Sequence, residues 1–204
     1  MTDEATGHPM KATANFHRIA TILGGLALTD VQGATVELDD GCEDLVRDFL
    51  RAKEERRRIF LIGNGGSASI AGHMQMDLCN RLEARAQVFN DAPVLTALAN
   101  DRGYDHAFAR LIELFLDAGD WLIAISSSGR SPNILSAVAV ARARGGRIVT
   151  FSGFSPGNPL RSLGDFNFWV DSEAYGEVEV AHHALGHFLT DRAAEMASAS
   201  PARV

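Results

Sequence analysis

The sequence predicts an α/β fold, a three-layer αβα sandwich built on a central parallel sheet of about five strands. Three observations predict it. Short, continuous apolar runs recur: Ile59-Phe60-Leu61-Ile62, Trp121-Leu122-Ile123-Ala124-Ile125, Ile148-Val149-Thr150-Phe151 and Phe166-Asn167-Phe168-Trp169-Val170. Runs of this kind suit strands buried on both faces. Segments of helical character separate them, over about 67–80, 104–118, 131–144 and 177–198, and such alternation is what helices covering both sides of a parallel sheet require. Finally, the first two runs each end in a polar loop rich in glycine or serine, where open parallel sheets bind ligands.

Taken in order, residues 1–10 read as a disordered tail that lacks the apolar core of a secretory leader. Residues 11–57 read as an N-terminal helical arm. Its first helix, about 11–28, carries Phe16, Ile19, Ala20, Leu23 and Leu26 at helical spacing. Its second, about 37–57, sets Leu45, Val46, Phe49 and Leu50 on one face. These helices show no strand of their own, so the arm is expected to pack on the domain or on another subunit. The charge-dense stretch Arg51 to Arg58 reads as a solvated helix end, where cations suit the C-terminal dipole. Residues 58–204 then form the α/β domain, with a weaker fifth strand at Ala86-Gln87-Val88-Phe89.

A chain of 204 residues with 46% hydrophobic content suits one domain with a real core. A net charge of −7 argues against nonspecific nucleic-acid binding. No apolar run approaches the ~20 residues of a membrane span. Cys42 and Cys79 lack metal-site spacing and read as small buried residues in a reducing cytoplasm.

Two loops carry chemistry. In Gly63-Asn64-Gly65-Gly66-Ser67 the glycines permit close backbone approach, and the following helix start offers free N–H groups. No P-loop lysine follows, and the dinucleotide spacing fails. In Ser126-Ser127-Ser128-Gly129-Arg130-Ser131-Pro132-Asn133, Ser131 and Pro132 suit a helix start. The three earlier serines add hydroxyl donors that suit a phosphate. His73 and Asp77 are one helical turn apart, as are Glu179, His183 and His187, with His182 at the edge of that stripe. Two helices that each offer a carboxylate and imidazole suit either a divalent metal or acid/base catalysis. Asn100-Asp101-Arg102-Gly103 reads as a polar turn able to bond sugar hydroxyls, while His8, His17 and His106 have no supporting pattern.

The motifs GNGGSASIAGHMQMDL, ALANDRGY, AISSSGRSPNIL and YGEVEVAHHALGHFL resemble those of the SIS (sugar isomerase) domain family, and within it the phosphoheptose isomerases. The resemblance covers about Arg58 to Arg192. It implies a homotetramer with sites at subunit interfaces, a sugar-phosphate substrate, and reversible isomerisation of sedoheptulose 7-phosphate to D-glycero-D-manno-heptose 7-phosphate. It assigns Asn64, Gly65, Gly66 and Ser67 to the first substrate loop, and Asn100 and Asp101 to the second. Ser126, Ser127, Ser128 and Ser131 become the phosphate-binding serines and Arg81 a sugar-side arginine. His73, Asp77, Glu179 and His187 fall on the zinc-binding positions, with His183 as a substitute ligand. Asp77 and His187 become the proton-transfer pair, and Glu179 also counts as a substrate contact. Asp77 stands where the family usually has glutamate and Glu179 where it usually has glutamine, a pairing that resembles a capsule-linked branch. A non-catalytic SIS module would be expected to lack the acid and the histidine that positions 77 and 187 here supply.

Overall fold

The computed structural model describes residues 11–199, so the expected tail at residues 1–10 lies outside the described residues. Seven strands form one sheet in the order β2-β1-β7-β6-β5-β3-β4. The strands are β1 (Ala27–Asp30), β2 (Thr35–Val36), β3 (Arg58–Gly63), β4 (Arg85–Val88), β5 (Trp121–Ser126), β6 (Arg147–Ser152) and β7 (Phe166–Trp169). From β3 to β7 the pairing is parallel throughout, which matches the expected core sheet of five strands.

The helices are α1 (Ala12–Gly24), α2 (Leu38–Glu54), α3 (Gly66–Asn80), α4 (Ala92–Arg102), α5 (Ala107–Phe115), α6 (Pro132–Ala143) and α7 (Tyr175–Ala199). Strand side chains alternate between two cores. Ile59, Leu61, Ile123, Ile125, Val149 and Phe151 face α2, α3 and α7. Phe60, Ile62, Leu122, Ala124 and Ile148 face α5 and α6. Helices thus cover both sheet faces, as the continuous apolar runs predict.

Three expectations need correction. The arm does contain strands: α1 stops at Gly24, and Ala27–Asp30 pairs antiparallel with β7, Ala27 opposite Trp169 and Asp30 opposite Phe166. The Asp30 carboxylate accepts from Gln32 and Ala34 N–H, and Gly33 takes φ 80°, which turns the chain back as β2. Residues 100–102 are not a turn but the end of α4. Asp91 caps that helix by accepting from Val94 N–H at 3.1 Å, Pro93 sits in its first turn, and Gly103 ends it at φ 82°. The expected helix at 104–118 begins as a 3-10 turn over Tyr104–His106 and ends at Phe115.

The order β4-β3-β5 places a switch point between β3 and β5. The chain leaves β3 for α3 on one face and leaves β5 for α6 on the other. Their loops therefore part above the sheet and open a crevice between them.

Candidate active site

The crevice is built from backbone geometry. A side chain at Gly63 would press on Ser67 carbonyl atoms at 2.6 Å and Ala68 N at 2.9 Å, so only glycine lets the first turn of α3 fold back on β3. Gly65 takes φ 54°, open to glycine without strain. Gly66 faces the Glu179 carboxyl group so closely that a methyl there would overlap it. Across the crevice, Asn64 and Asn133 exchange amide hydrogen bonds at 3.0 and 2.9 Å, and the Tyr104 hydroxyl donates to Asn64 Oδ1 at 2.7 Å. The two loops are thus tied side to side.

Between them lies a cavity of about 140 Å³ lined by Asn64, Ser67, Ser126, Ser127, Ser128, Ser131, Tyr175 and Glu179. Ser131 stands at the N-cap of α6, yet its hydroxyl caps nothing and turns to Ser126 Oγ at 3.1 Å. Ser127 Oγ is buried without a hydrogen-bond partner. A buried hydroxyl left unpaired is costly unless a ligand completes it. Hydroxyls gathered at the start of α6 make a concave, donor-rich cradle whose chemistry suits an anion.

Helices α3 and α7 run side by side in the same direction. Gly66 meets Glu179, His73 meets His183 and His187, and Arg81 pairs with Asp191. Asp77 is buried, 7% exposed, and its Oδ2 lies 3.5 Å from His73 Nε2 and 3.4 Å from His187 Nδ1. The Thr190 hydroxyl also reaches this oxygen at 3.5 Å. One donor atom from each of His73, His183 and His187 lies within 4.8 Å of the others, and His183 Nε2 is buried without a partner. Burial foremost, and then the neighbouring His187 and His73 imidazoles, lower the His183 pKa, with Asp77 pulling the other way. The neutral imidazole that results is the form that binds metal. This nitrogen-rich donor set fits a zinc ion.

The remaining candidates fall elsewhere. His182, beside His183, turns to the sheet: it is fully buried, its Nε2 is 3.1 Å from Ser152 O, and burial pushes its pKa down to about 4. Arg81 caps the C-terminus of α3. Fifteen residues at about 1.5 Å each put it roughly 22 Å along the helix from Gly66, out of reach of its own chain's serine cavity. Asn100 and Asp101 are exposed at the end of α4 and bond each other at 2.9 Å. Sequence reasoning missed Tyr104 and Asn133, which fix Asn64, and Glu177. The buried Glu177 carboxylate accepts from Ser172 Oγ at 2.5 Å and from Arg18 of α1 at 2.6 Å. An isolated tyrosine or asparagine gives no periodic signal. Among the described residues, no helix is long and apolar enough to cross a membrane.

Comparison with known proteins shows the family and the fold. The SIS-domain family model matches residues 28–153. A phosphoheptose isomerase of Pelobacter propionicus is 35% identical over 154 residues, covering 72% of this chain and 81% of the relative. Another, of Citrifermentans bemidjiense, is 32% identical over 170 residues, covering 80% and 86%. The solved structure of a Neisseria gonorrhoeae phosphoheptose isomerase superposes with a TM-score of 0.74 at 24% identity, over 90% of this chain and 96% of that one, and shares the fold. By these likenesses the chain belongs to the SIS-domain family, in its phosphoheptose isomerase branch, and is an isomerase.

Proposed function

We propose that the chain interconverts sedoheptulose 7-phosphate and D-glycero-D-manno-heptose 7-phosphate in the cytoplasm, supplying a heptose for surface glycans. The observation that carries this reading is the Asp77–His187 pair, 3.4 Å apart, on the same two helices whose N-terminal ends border the serine cradle. Ser126, Ser127, Ser128 and Ser131 hold the phosphate, with the α6 N-terminus contributing its dipole. Asn64, the Gly65-Gly66 backbone, Ser67 and Glu179 take the sugar hydroxyls nearest it.

Isomerisation moves a proton between C1 and C2 through an enediol. Asp77 and His187 carry that proton, one removing it from carbon and the other exchanging it at oxygen. Burial of Asp77 beside imidazoles keeps its carboxylate oriented through Oδ2. A zinc ion bound among the imidazoles beside Asp77 would polarise the carbonyl oxygen.

The enzyme works as a homotetramer in this reading. The histidines are partly open, His73 37% and His187 44% exposed in their side chains. Exposed Phe16, Met76, Val180 and Phe188 on α1, α3 and α7 supply apolar surface for a neighbouring copy. Arg81, and Asn100 with Asp101, then serve a site shared between subunits.

The test is turnover of sedoheptulose 7-phosphate beside a panel of other sugar phosphates, with wild type and His187→Ala. Loss of a general acid/base costs on the order of 10²–10⁴ in rate. Near-wild-type turnover by His187→Ala, or turnover of a different sugar phosphate alone, overturns the proposal.

A further inference from the structure

We infer that His183, not Glu179, completes the metal-binding set of this chain, so that the ion is held by His73, His183 and His187; this rests on the metal-assisted reading above.

Three independent features carry it. The three imidazoles converge on one point: ring centroids are 4.6 Å apart for His73 and His187, and 4.9 Å for each of the pairs with His183. Their ligand atoms lie within 4.8 Å of one another. Second, His183 Nε2 is buried and unpartnered. A buried ring nitrogen with no partner is an unmet demand, and a metal meets it without a proton. Third, Glu179 is committed elsewhere. Its carboxyl group packs over Gly66 and lines the serine cavity, at the other end of the groove from Asp77.

Helix periodicity explains the exchange. Positions 179, 183 and 187 follow one another by single turns of α7. His73 and Asp77 face the 183–187 stretch, one turn further along the groove than Glu179. A histidine at 183 can therefore occupy the coordination place nearest His73 while the side chain at 179 turns to the substrate. Three neutral imidazoles make a complete protein set for a zinc ion that keeps a position open. Asp77 then need not give its carboxylate to the metal and can keep it for proton transfer. Glu179 becomes an acceptor for sugar hydroxyls next to the phosphate cradle.

The experiment measures zinc affinity of the full-length protein by competition with a chromophoric chelator, for wild type, His183→Ala, His183→Gln and Glu179→Gln. Losing even a residue that supports a ligand typically costs 10–100-fold in metal affinity, so both His183 variants should weaken zinc binding by about 100-fold or more. Glu179→Gln should stay within about threefold of wild type. Cobalt-loaded protein supplies a second readout, because removing His183 should shift its visible spectrum and replacing Glu179 should not. Circular dichroism and thermal unfolding of the metal-free variants show that the fold is retained; if His183→Ala fails to fold, His183→Gln decides. Unchanged affinity in a folded His183 variant, with loss in Glu179→Gln, overturns this inference and leaves the isomerase reading standing. No zinc binding by wild type, with sedoheptulose 7-phosphate still turned over, overturns it too and removes the metal alone from the mechanism. No turnover of sedoheptulose 7-phosphate by the zinc-loaded wild type defeats the proposed substrate reading instead, whatever His183 does for the metal.

Discussion

Gly66→Ala separates the site from the fold. The three atoms nearest a methyl at position 66 all belong to the Glu179 carboxyl group, the far end of a flexible side chain. Gly66 opens α3, and alanine there should gain roughly 0.5–1 kcal/mol through backbone entropy. That offsets the small cost of swinging Glu179 away. The net change should stay within about 1 kcal/mol, or about 2–4 °C in Tm for a chain of this size. The cavity, however, loses Glu179. A hydrogen bond from a substrate hydroxyl to a charged group contributes about 1.5–3 kcal/mol, so KM should rise roughly 10–100-fold. Gly63→Ala is the contrast. Its methyl would meet Ser67 and Ala68 backbone at 2.6–2.9 Å, and backbone cannot swing away. Overpacking of that kind costs about 1–3 kcal/mol, and the melting temperature should fall by roughly 3–10 °C. Differential scanning calorimetry paired with steady-state isomerase kinetics measures both. If Gly66→Ala keeps wild-type KM and kcat, or melts as low as Gly63→Ala, the assignment of Glu179 to the substrate cavity is wrong.

Ser127→Ala removes a buried hydroxyl that has no partner, so unfolding by urea should show stability unchanged or slightly raised while sugar-phosphate affinity drops about 10–100-fold. Burial raises the Glu177 pKa, but the Ser172 and Arg18 hydrogen bonds outweigh it and lower the value overall. A carboxylate held below its unfolded value of 4.5 stabilises the fold above that pH, and this contribution is lost as pH falls from there through the lower folded-state value; urea titrations should show that loss in wild type and a flatter acid limb in Glu177→Gln. For Cys42, burial and then Asp39, Glu37 and Glu43 push the thiol up to about 12 from 9.0. The folded state therefore keeps its proton while the unfolded state ionises, and this contribution fades as pH rises above 9.0. In native protein at pH 8 a thiol reagent should modify Cys79 and spare Cys42, with both reacting in denaturant.

The strands flanking the active-site loops were legible because burial on both faces leaves no polar alternation to misread. Ile59-Phe60-Leu61-Ile62 and Trp121 to Ile125 announce themselves by composition, and the glycine and serine loops that follow them stand out for the same reason. The edge elements were not. Ala27–Asp30 lies between β7 and the two-residue β2 near the sheet edge, and its first residues continue the apolar spacing of α1, so the sequence read Ala27 and Leu28 as more helix. In α4 no residue is buried, which leaves no apolar stripe to count, though Asp91 and Pro93 do spell a helix start. The rotation of α7 also mattered. Spacing by four put Glu179, His183 and His187 on one stripe, but which member meets α3 and which meets the cradle depends on how the helices pack. Tyr104 reaches Asn64 through tertiary contact across 40 positions, a distance over which local pattern says nothing.

The antiparallel strand that α1 leads into has a consequence for how the chain assembles as it is made. Thr29 is joined to Asn167 across 138 positions, and Arg18 to Glu177 across 159. A ribosome delivers the N-terminal strand early and its partner near the end. The parallel strands between can pair as they emerge, whereas the first segment must wait without its own place in the sheet. The oldest part of the nascent chain is thus among the last to be seated, and its arrival through Arg18 secures the start of the helix that carries His183 and His187.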